Sequence, residues 1–469
     1  MAVIPDPPRA VTAAPTSGGR VRRGNGLVHR GSGRNRTPAA TLLGMSDQVR
    51  PAPVRIDDLA NPTFPPHIAE MMAAVAPMAA DISFAPDALL AEASAESGLD
   101  DFGDEWFREP LGVILRAIET EAGPSAWGRI SAHTQMLTHM KNRLQVESIV
   151  GEHPEILDIE IARPIVIIGQ PRTGTTHLHN LMAEDPALRS LRYWESLEPV
   201  PPAADREAVA AGAPDPRRER CEMGLTILND ALPYFKRMHE MTVDHVHEEI
   251  QLLAIAGSTM LFETMGVMPG WRDWYVANDQ TPAYAYLKRV LQCAQWLRGG
   301  ERWVLKSPQH LEQIRPLLTV FPDATFVFTH RDPVAVIASN AEMIAYTARF
   351  SAEQVDPPKI GHYWADRIEE MLRAGMRDHE LLPAGRTIDV RFDEFMADDL
   401  AMVQRIYEVA DQPFTPEARV AMDAFIATHP RGVNGGVIYD PEGDFDLDPA
   451  ELRKRMRDYT DRFGVPLEH

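Results

Sequence analysis

The stretch Gln170-Pro171-Arg172-Thr173-Gly174-Thr175-Thr176-His177-Leu178 has the make-up of an anion-binding loop. It follows the β-branched run at 164–169 and leads into a helical stripe of Leu178, Leu181 and Met182 that stops near Asp185-Pro186. A strand, a tight glycine loop and a helix start aim several backbone N–H groups, and the positive end of a helix, at one bound anion. The spacing Gly169-x4-Gly174-x-Thr176 is that of a phosphate-binding P-loop, with Thr175 where a nucleotide-triphosphate site has its lysine. Without that lysine the loop lacks the cation that reaches β- and γ-phosphates, and Arg172 supplies charge from an earlier position.

Such a loop needs a sheet behind it. Residues 164–169, Trp303-Val304-Leu305, Thr325-Phe326-Val327-Phe328 and 387–392 are short β-rich runs, the first three continuously apolar. Continuous apolar runs mark strands buried on both faces, and helical patterns separate them. The expected fold is therefore α/β, a P-loop-type parallel sheet flanked by helices. Before it, from about residue 56 to 153, the pattern is helical; Ile68, Met71, Met72 and Val75 fall at i, i+3, i+4 and i+7. Residues 205–300 are too long for a simple crossover and read as a helical insertion. The most apolar stretch, 252–268, is broken by Ser258, Thr259, Glu263 and Thr264 and reads as a buried helix. The expected division is a basic leader at 1–44, a helical region at 45–158, and a P-loop domain at 159–469 containing the insertion.

The 469 residues are 44% apolar and 25% charged, ordinary values for a globular chain. A net charge of −21 argues against a nucleic-acid partner or an anionic membrane surface. No run of about 18 apolar residues is present, so no integral membrane segment is expected. Two cysteines, Cys221 and Cys293, cannot build a disulfide framework, and the expected location is the reducing cytoplasm. Pro5, Asp6, Pro7 and Pro8 occupy the place of a secretory h-region. Residues 1–44 carry Arg9, Arg20, Arg22, Arg23, Arg30, Arg34 and Arg36 against Asp6 alone and read as disordered. A targeting segment, a basic arm and a stretch read from a start codon placed too early, with Met45 the true start and 1–44 not translated, compete; the last is preferred. Nothing in the sequence sets an oligomeric state.

Residues 171–176 match, position by position, the Pro-Lys/Arg-Ser/Thr-Gly-Thr-Thr loop that takes the 5′-phosphosulfate in sulfotransferases. The chain resembles that family over roughly residues 160–469, nearest its broad bacterial and tyrosylprotein branches. The resemblance implies metal-free, in-line transfer of a sulfuryl group from 3′-phosphoadenosine 5′-phosphosulfate (PAPS) to a small-molecule hydroxyl. Arg172, Thr173, Gly174, Thr175 and Thr176 would hold the 5′ group. Family members bind the 3′-phosphate with an arginine and a serine eight residues later, and Arg331 and Ser339 have that spacing. Arginine offers a fork to phosphate and serine adds a hydroxyl. Asp332 and Pro333 also read as an N-cap and first helical residue. The segment 429–436 loosely resembles the family's C-terminal basic–glycine loop; it lacks the following Asp-Trp-Lys, so only Arg431 and Gly432 carry over.

Sulfuryl transfer passes through a loose transition state, with charge growing on the bridging oxygen. Lys306, in Leu305-Lys306-Ser307-Pro308, ends a strand and resembles the family's catalytic lysine. A general base must face the leaving group. Glu195, in Tyr193-Trp194-Glu195-Ser196, ranks first, Glu249 of the pair Glu248-Glu249 second, and His310 third. His239, His245, His247 and this glutamate pair suggest a metal, with His245 and Glu249 one helical turn apart. No third ligand is evident in the sequence, and no metal is expected. Two alternatives remain: a P-loop small-molecule kinase, for which the loop lysine and a Walker-B aspartate are missing, and a non-catalytic nucleotide-binding protein of the same fold.

Overall fold

Ile165-Val166-Ile167-Ile168-Gly169 forms β1, with every residue buried. In the computed structural model, which describes residues 51–468, β1 is the centre of a five-stranded parallel sheet. The leader expected at 1–44 lies outside the described residues. The other strands are β2 (Leu188–Arg189), β3 (Leu191–Arg192), β4 (Val246–His247), β5 (Arg302–Ser307), β6 (Thr325–His330) and β7 (Thr387–Arg391). The sheet order is β2-β5-β1-β6-β7, and β3 with β4 makes a separate antiparallel ribbon.

Alternation along β1 sorts its side chains between two layers. Ile165 and Ile167 join Val304, Val327 and the loop helix residues Leu178, Leu181 and Met182 on one face. Val166 and Ile168 join Leu305, Phe326 and Phe328 in a larger core on the other. That larger core also takes Leu111, Ile114 and Leu144 of the N-terminal helices and Leu253 and Leu287 of the insertion, so all three regions share one interior.

Because β5 and β6 flank β1 on opposite sides, the loop after β1 emerges where the strand order reverses. Ligands of open α/β sheets bind in the crevice at such a point. Register places Ile167 beside Lys306 and Gly169 beside Thr329, so three strand ends deliver their last residues to one place.

Two local expectations are corrected. Residues 252–268 do not form one helix: Ile250–Ile255 is followed by Gly257 at φ 76° and a 3-10 helix, Met260–Met265. Glycine in the left-handed region ends the first helix. His245 and Glu249 do not share a helix either, since β4 intervenes. Among the described residues no single helix is long and apolar enough to cross a membrane.

Candidate active site

The loop after β1 is shaped by close approaches that only glycine permits. Gly174 adopts φ 80° and ψ 2°, and a Cβ there would lie 3.2 Å from the Phe392 ring. A Cβ on Gly169 would come 1.9 Å from Thr329 Oγ1. The Thr173 hydroxyl, 2.9 Å from Thr329 Oγ1, is also 2.8 Å from the Gln170 carbonyl and fixes the turn from inside. The helix Thr175–Met182 starts immediately after Gly174, leaving its first N–H groups for an anion.

Arg172 takes φ 67°, a costly value for a residue with a side chain. Its Nε donates to Ser339 Oγ at 2.9 Å and its Nη1 to the Met238 carbonyl. Arg331 Nη1 in turn donates to the Arg172 carbonyl at 2.6 Å, and its guanidinium stacks 4.1 Å from the Phe392 ring centre. Arg172, Arg331 and Ser339 therefore adjoin one another at the loop. Asp332 caps the helix Pro333–Ala348 through Val334 N–H, so the Arg-Asp-Pro segment is also a helix start.

Lys306 is buried at the end of β5. Its Nζ lies 3.4 Å from Thr176 Oγ1 and is ion-paired with Glu248. Its backbone N–H donates to Glu249 Oε2 at 2.9 Å. The two neighbouring glutamates thus do different things. Glu248 faces the cavity beside the loop. Glu249 is fully buried, bound to the Lys306 backbone and to His310 Nε2. The His310 ring is fixed on its other side by the Tyr284 hydroxyl, 2.8 Å from Nδ1. Neither Glu249 nor His310 reaches the cavity wall.

Glu195 is also elsewhere. Its carboxylate is buried between Arg189 and Arg298, the latter at 2.7 Å, and reaches back to the Arg192 N–H at the start of its own helix. Both oxygens are committed to structure, which removes the first-ranked base from the site. Arg431 and Gly432 lie in an exposed turn; Arg431 pairs with Asp399, which also lies 3.0 Å from His177 Nε2 on the loop helix. They occupy the outer rim of the loop helix.

A cavity of about 340 Å³ opens between the loop, the insertion and the helix Pro333–Ala348. Pro171, Arg172, Thr175, Thr176, Glu248 and Lys306 form its polar end, and Leu228, Leu232, Phe235, Met260, Met265, Met343 and Ile344 its apolar walls. Trp271, Tyr275 and Met268, aromatic and sulfur-bearing residues of the insertion, pack into the core instead. Sequence reasoning ranked Glu195 first, Glu249 second and His310 third, whereas the carboxylate that lines the cavity is Glu248. The signal was there: Glu249 precedes Leu252 and Leu253 at helical spacing, on the stripe that goes inward. Thr329, which helps set the loop's shape, belongs to no motif, and Phe392 was read only as part of the late strand, whereas it opens the helix that follows it.

A family model described as the sulfotransferase family matches residues 164–416, just over half of the chain. The chain belongs to the sulfotransferase family. Sulfotransferase STF1 from Mycobacterium tuberculosis H37Rv is 30% identical, with 79% of this chain and 97% of that one covered and a TM-score of 0.69. STF9 from Mycobacterium avium is 27% identical, with 81% and 97% covered and a TM-score of 0.72. The omega-hydroxy-beta-dihydromenaquinone-9 sulfotransferase Stf3 of Mycobacterium bovis is 23% identical over 260 residues, 52% of this chain. The match spans 62% of that curated relative's length. The mixed α/β fold, with its parallel sheet flanked by helices, is that of these sulfotransferases.

Proposed function

We propose that the protein transfers a sulfuryl group from PAPS to the hydroxyl of an apolar small molecule held in the cavity. The observation that carries this reading is the meeting of Lys306 Nζ, Thr176 Oγ1 and Glu248 at the start of the loop helix, at the polar end of an apolar cavity. In this assignment Arg172, Thr173, Gly174, Thr175 and Thr176 hold the 5′-phosphosulfate. Lys306 neutralises charge on the bridging oxygen as the S–O bond lengthens. Glu248, released from Lys306 when the donor binds, takes the acceptor's proton. Arg331 and Ser339 hold the 3′-phosphate, with Arg431 and Gly432 closing over it. No step is routed through a metal.

The apolar walls favour an acceptor with a long hydrocarbon portion, in keeping with the hydroxylated dihydromenaquinone in the name of the curated relative. The two free, buried cysteines favour the cytoplasm. A kinase reading gains nothing from the site, because a threonine, Thr175, stands at the P-loop lysine position. The test is calorimetry of adenosine 3′,5′-bisphosphate in magnesium-free buffer with the wild type and Arg331→Ala. Micromolar binding that the variant loses supports the reading, and no binding by folded wild type ends it.

A further inference from the structure

His239, His245 and His247 form a second constellation near Lys306. His239 closes the short helix Phe235–Met238, with its N–H donating to the Phe235 carbonyl at 2.8 Å. His245 and His247 stand either side of Val246, two residues apart in extended backbone, and so project to one side. Strand pairing of β4 with β3 holds that segment, and Tyr193 N–H donates to the His245 carbonyl at 2.8 Å.

The rings converge. Centroids of His239 and His245 are 5.7 Å apart, and those of His245 and His247 6.0 Å. One ring nitrogen from each lies within 4.8 Å of the others. Among the described residues no carboxylate pairs with any of the three, and His247 Nδ1 is buried without a hydrogen-bond partner. Burial, followed by the rings' proximity to one another and to Lys306, lowers the basicity of His239 and His247 well below the usual imidazole value. Burial, with Lys306 and Arg192, takes His245 down to about 4. Neutral imidazole is the form that binds a metal. Of the neighbouring cations, Lys306 is ion-paired with Glu248.

We propose that His239, His245 and His247 form a three-imidazole site for a late divalent transition metal ion, zinc by preference, with one coordination position open. Imidazole nitrogens suit zinc, copper, nickel and cobalt, and are poor ligands for magnesium and calcium. Zn–N bonds of roughly 2.0–2.1 Å bring tetrahedral nitrogens to about 3.3 Å from one another, a contraction that side-chain rotation supplies. Three protein ligands with a free fourth position is the arrangement of reactive rather than purely structural zinc. His239 and His247 line the cavity, so the fourth ligand comes from there, as water or a hydroxyl of the bound molecule. Only the naming of that molecule as the sulfuryl acceptor rests on the sulfotransferase reading. The sequence pattern paired His245 with Glu249 on one helix; in the structure His239, from a different element, meets the His-x-His pair instead.

The test titrates the full-length, metal-stripped protein with Co(II) and then with Zn(II). One equivalent of Co(II) giving the intense visible bands of tetrahedral cobalt, and displaced by Zn(II), is expected. His239→Ala and the volume-conserving His245→Gln should each weaken binding on the order of 100-fold or more, while His153→Ala, at a half-exposed histidine outside the cluster, leaves it unchanged. Binding of adenosine 3′,5′-bisphosphate and circular dichroism by the same variants report folding independently. Absence of stoichiometric Co(II) binding by folded wild type, or its retention in both His239→Ala and His245→Gln, overturns the metal site and leaves the sulfotransferase reading untouched.

Discussion

Glu468 holds Arg331 with both carboxylate oxygens, 2.6 Å from Nε and 2.7 Å from Nη2. The same fork is the natural seat of a phosphate. The position is fixed further by the Glu468 N–H, which donates to Asp332 at 2.8 Å, and by Arg453, which donates to the Glu468 carbonyl at 2.9 Å. A bound 3′-phosphate would have to displace this carboxylate. The pair is partly exposed, and such pairs contribute up to about 1 kcal/mol. Glu468→Gln should therefore tighten adenosine 3′,5′-bisphosphate up to about fivefold, and the gain should shrink at high salt. Calorimetry at two ionic strengths checks both.

Lys306→Ala should lower kcat by about 10²–10³, the usual loss when one donor to a developing oxyanion is removed. Binding of adenosine 3′,5′-bisphosphate, which has no sulfuryl group, should change little. Glu248→Gln should lower kcat by about 10²–10⁴ as a lost general base, whereas Glu195→Gln should act mainly on stability. Equal kcat losses at Glu195 and Glu248 would reverse the assignment of the base.

Glu342, on the helix Pro333–Ala348, is fully buried, and among the described residues neither carboxylate oxygen has a hydrogen-bond partner. Burial, with Asp444 adding to it, pushes the carboxyl up from 4.5 to about 8. The folded state therefore holds a proton that the unfolded state gives up. Stability from this group is full below about pH 4.5 and is lost as pH rises towards 8. By pH 7 the loss is on the order of 3 kcal/mol. Urea midpoints should fall between pH 5 and 7.5, and Glu342→Gln should flatten that slope.

Arg367 is fully buried between two carboxylates, 3.0 Å from Glu263 and 2.7 Å from Glu312, while the Tyr363 hydroxyl donates to Glu263 at 2.7 Å. Arg367→Met leaves two buried acids without their cation and should cost on the order of 3–5 kcal/mol. Replacing Glu263 and Glu312 with apolar residues in the same chain should recover much of it. Denaturant midpoints at unchanged slope would show this.

The sheet and its loop were legible because their signals are local. Ile165 to Gly169 are apolar in every position since both faces are covered, and Gly174 marks a backbone turn that other residues resist. Arg331 and Ser339 lie on either side of one helix start, and it was the resemblance to the family that pointed to them as a pair. The base was harder to read, since Glu195, Glu248 and Glu249 differ by what comes to meet them. Arg189 and Arg298 claim Glu195, and β5 claims Glu249, from 103 and 57 residues away for Arg298 and Lys306. Periodicity could separate Glu248 from Glu249, but only once the inward face of the following helix was known.

Adjacent glutamates gripping one lysine also constrain how the site can vary. Glu249 takes the Lys306 backbone and Glu248 its ammonium, so the insertion that walls the cavity is bolted to the strand that bears the proposed catalytic lysine. Any repacking of Ile250–Ile255 that reshapes the cavity drags the lysine with it, and a change of acceptor won that way comes with a loss of turnover. Met343 and Ile344, on the opposite helix, have no such attachment to Lys306. Under the proposed function, substitutions there should change the choice of acceptor while leaving the transfer step intact.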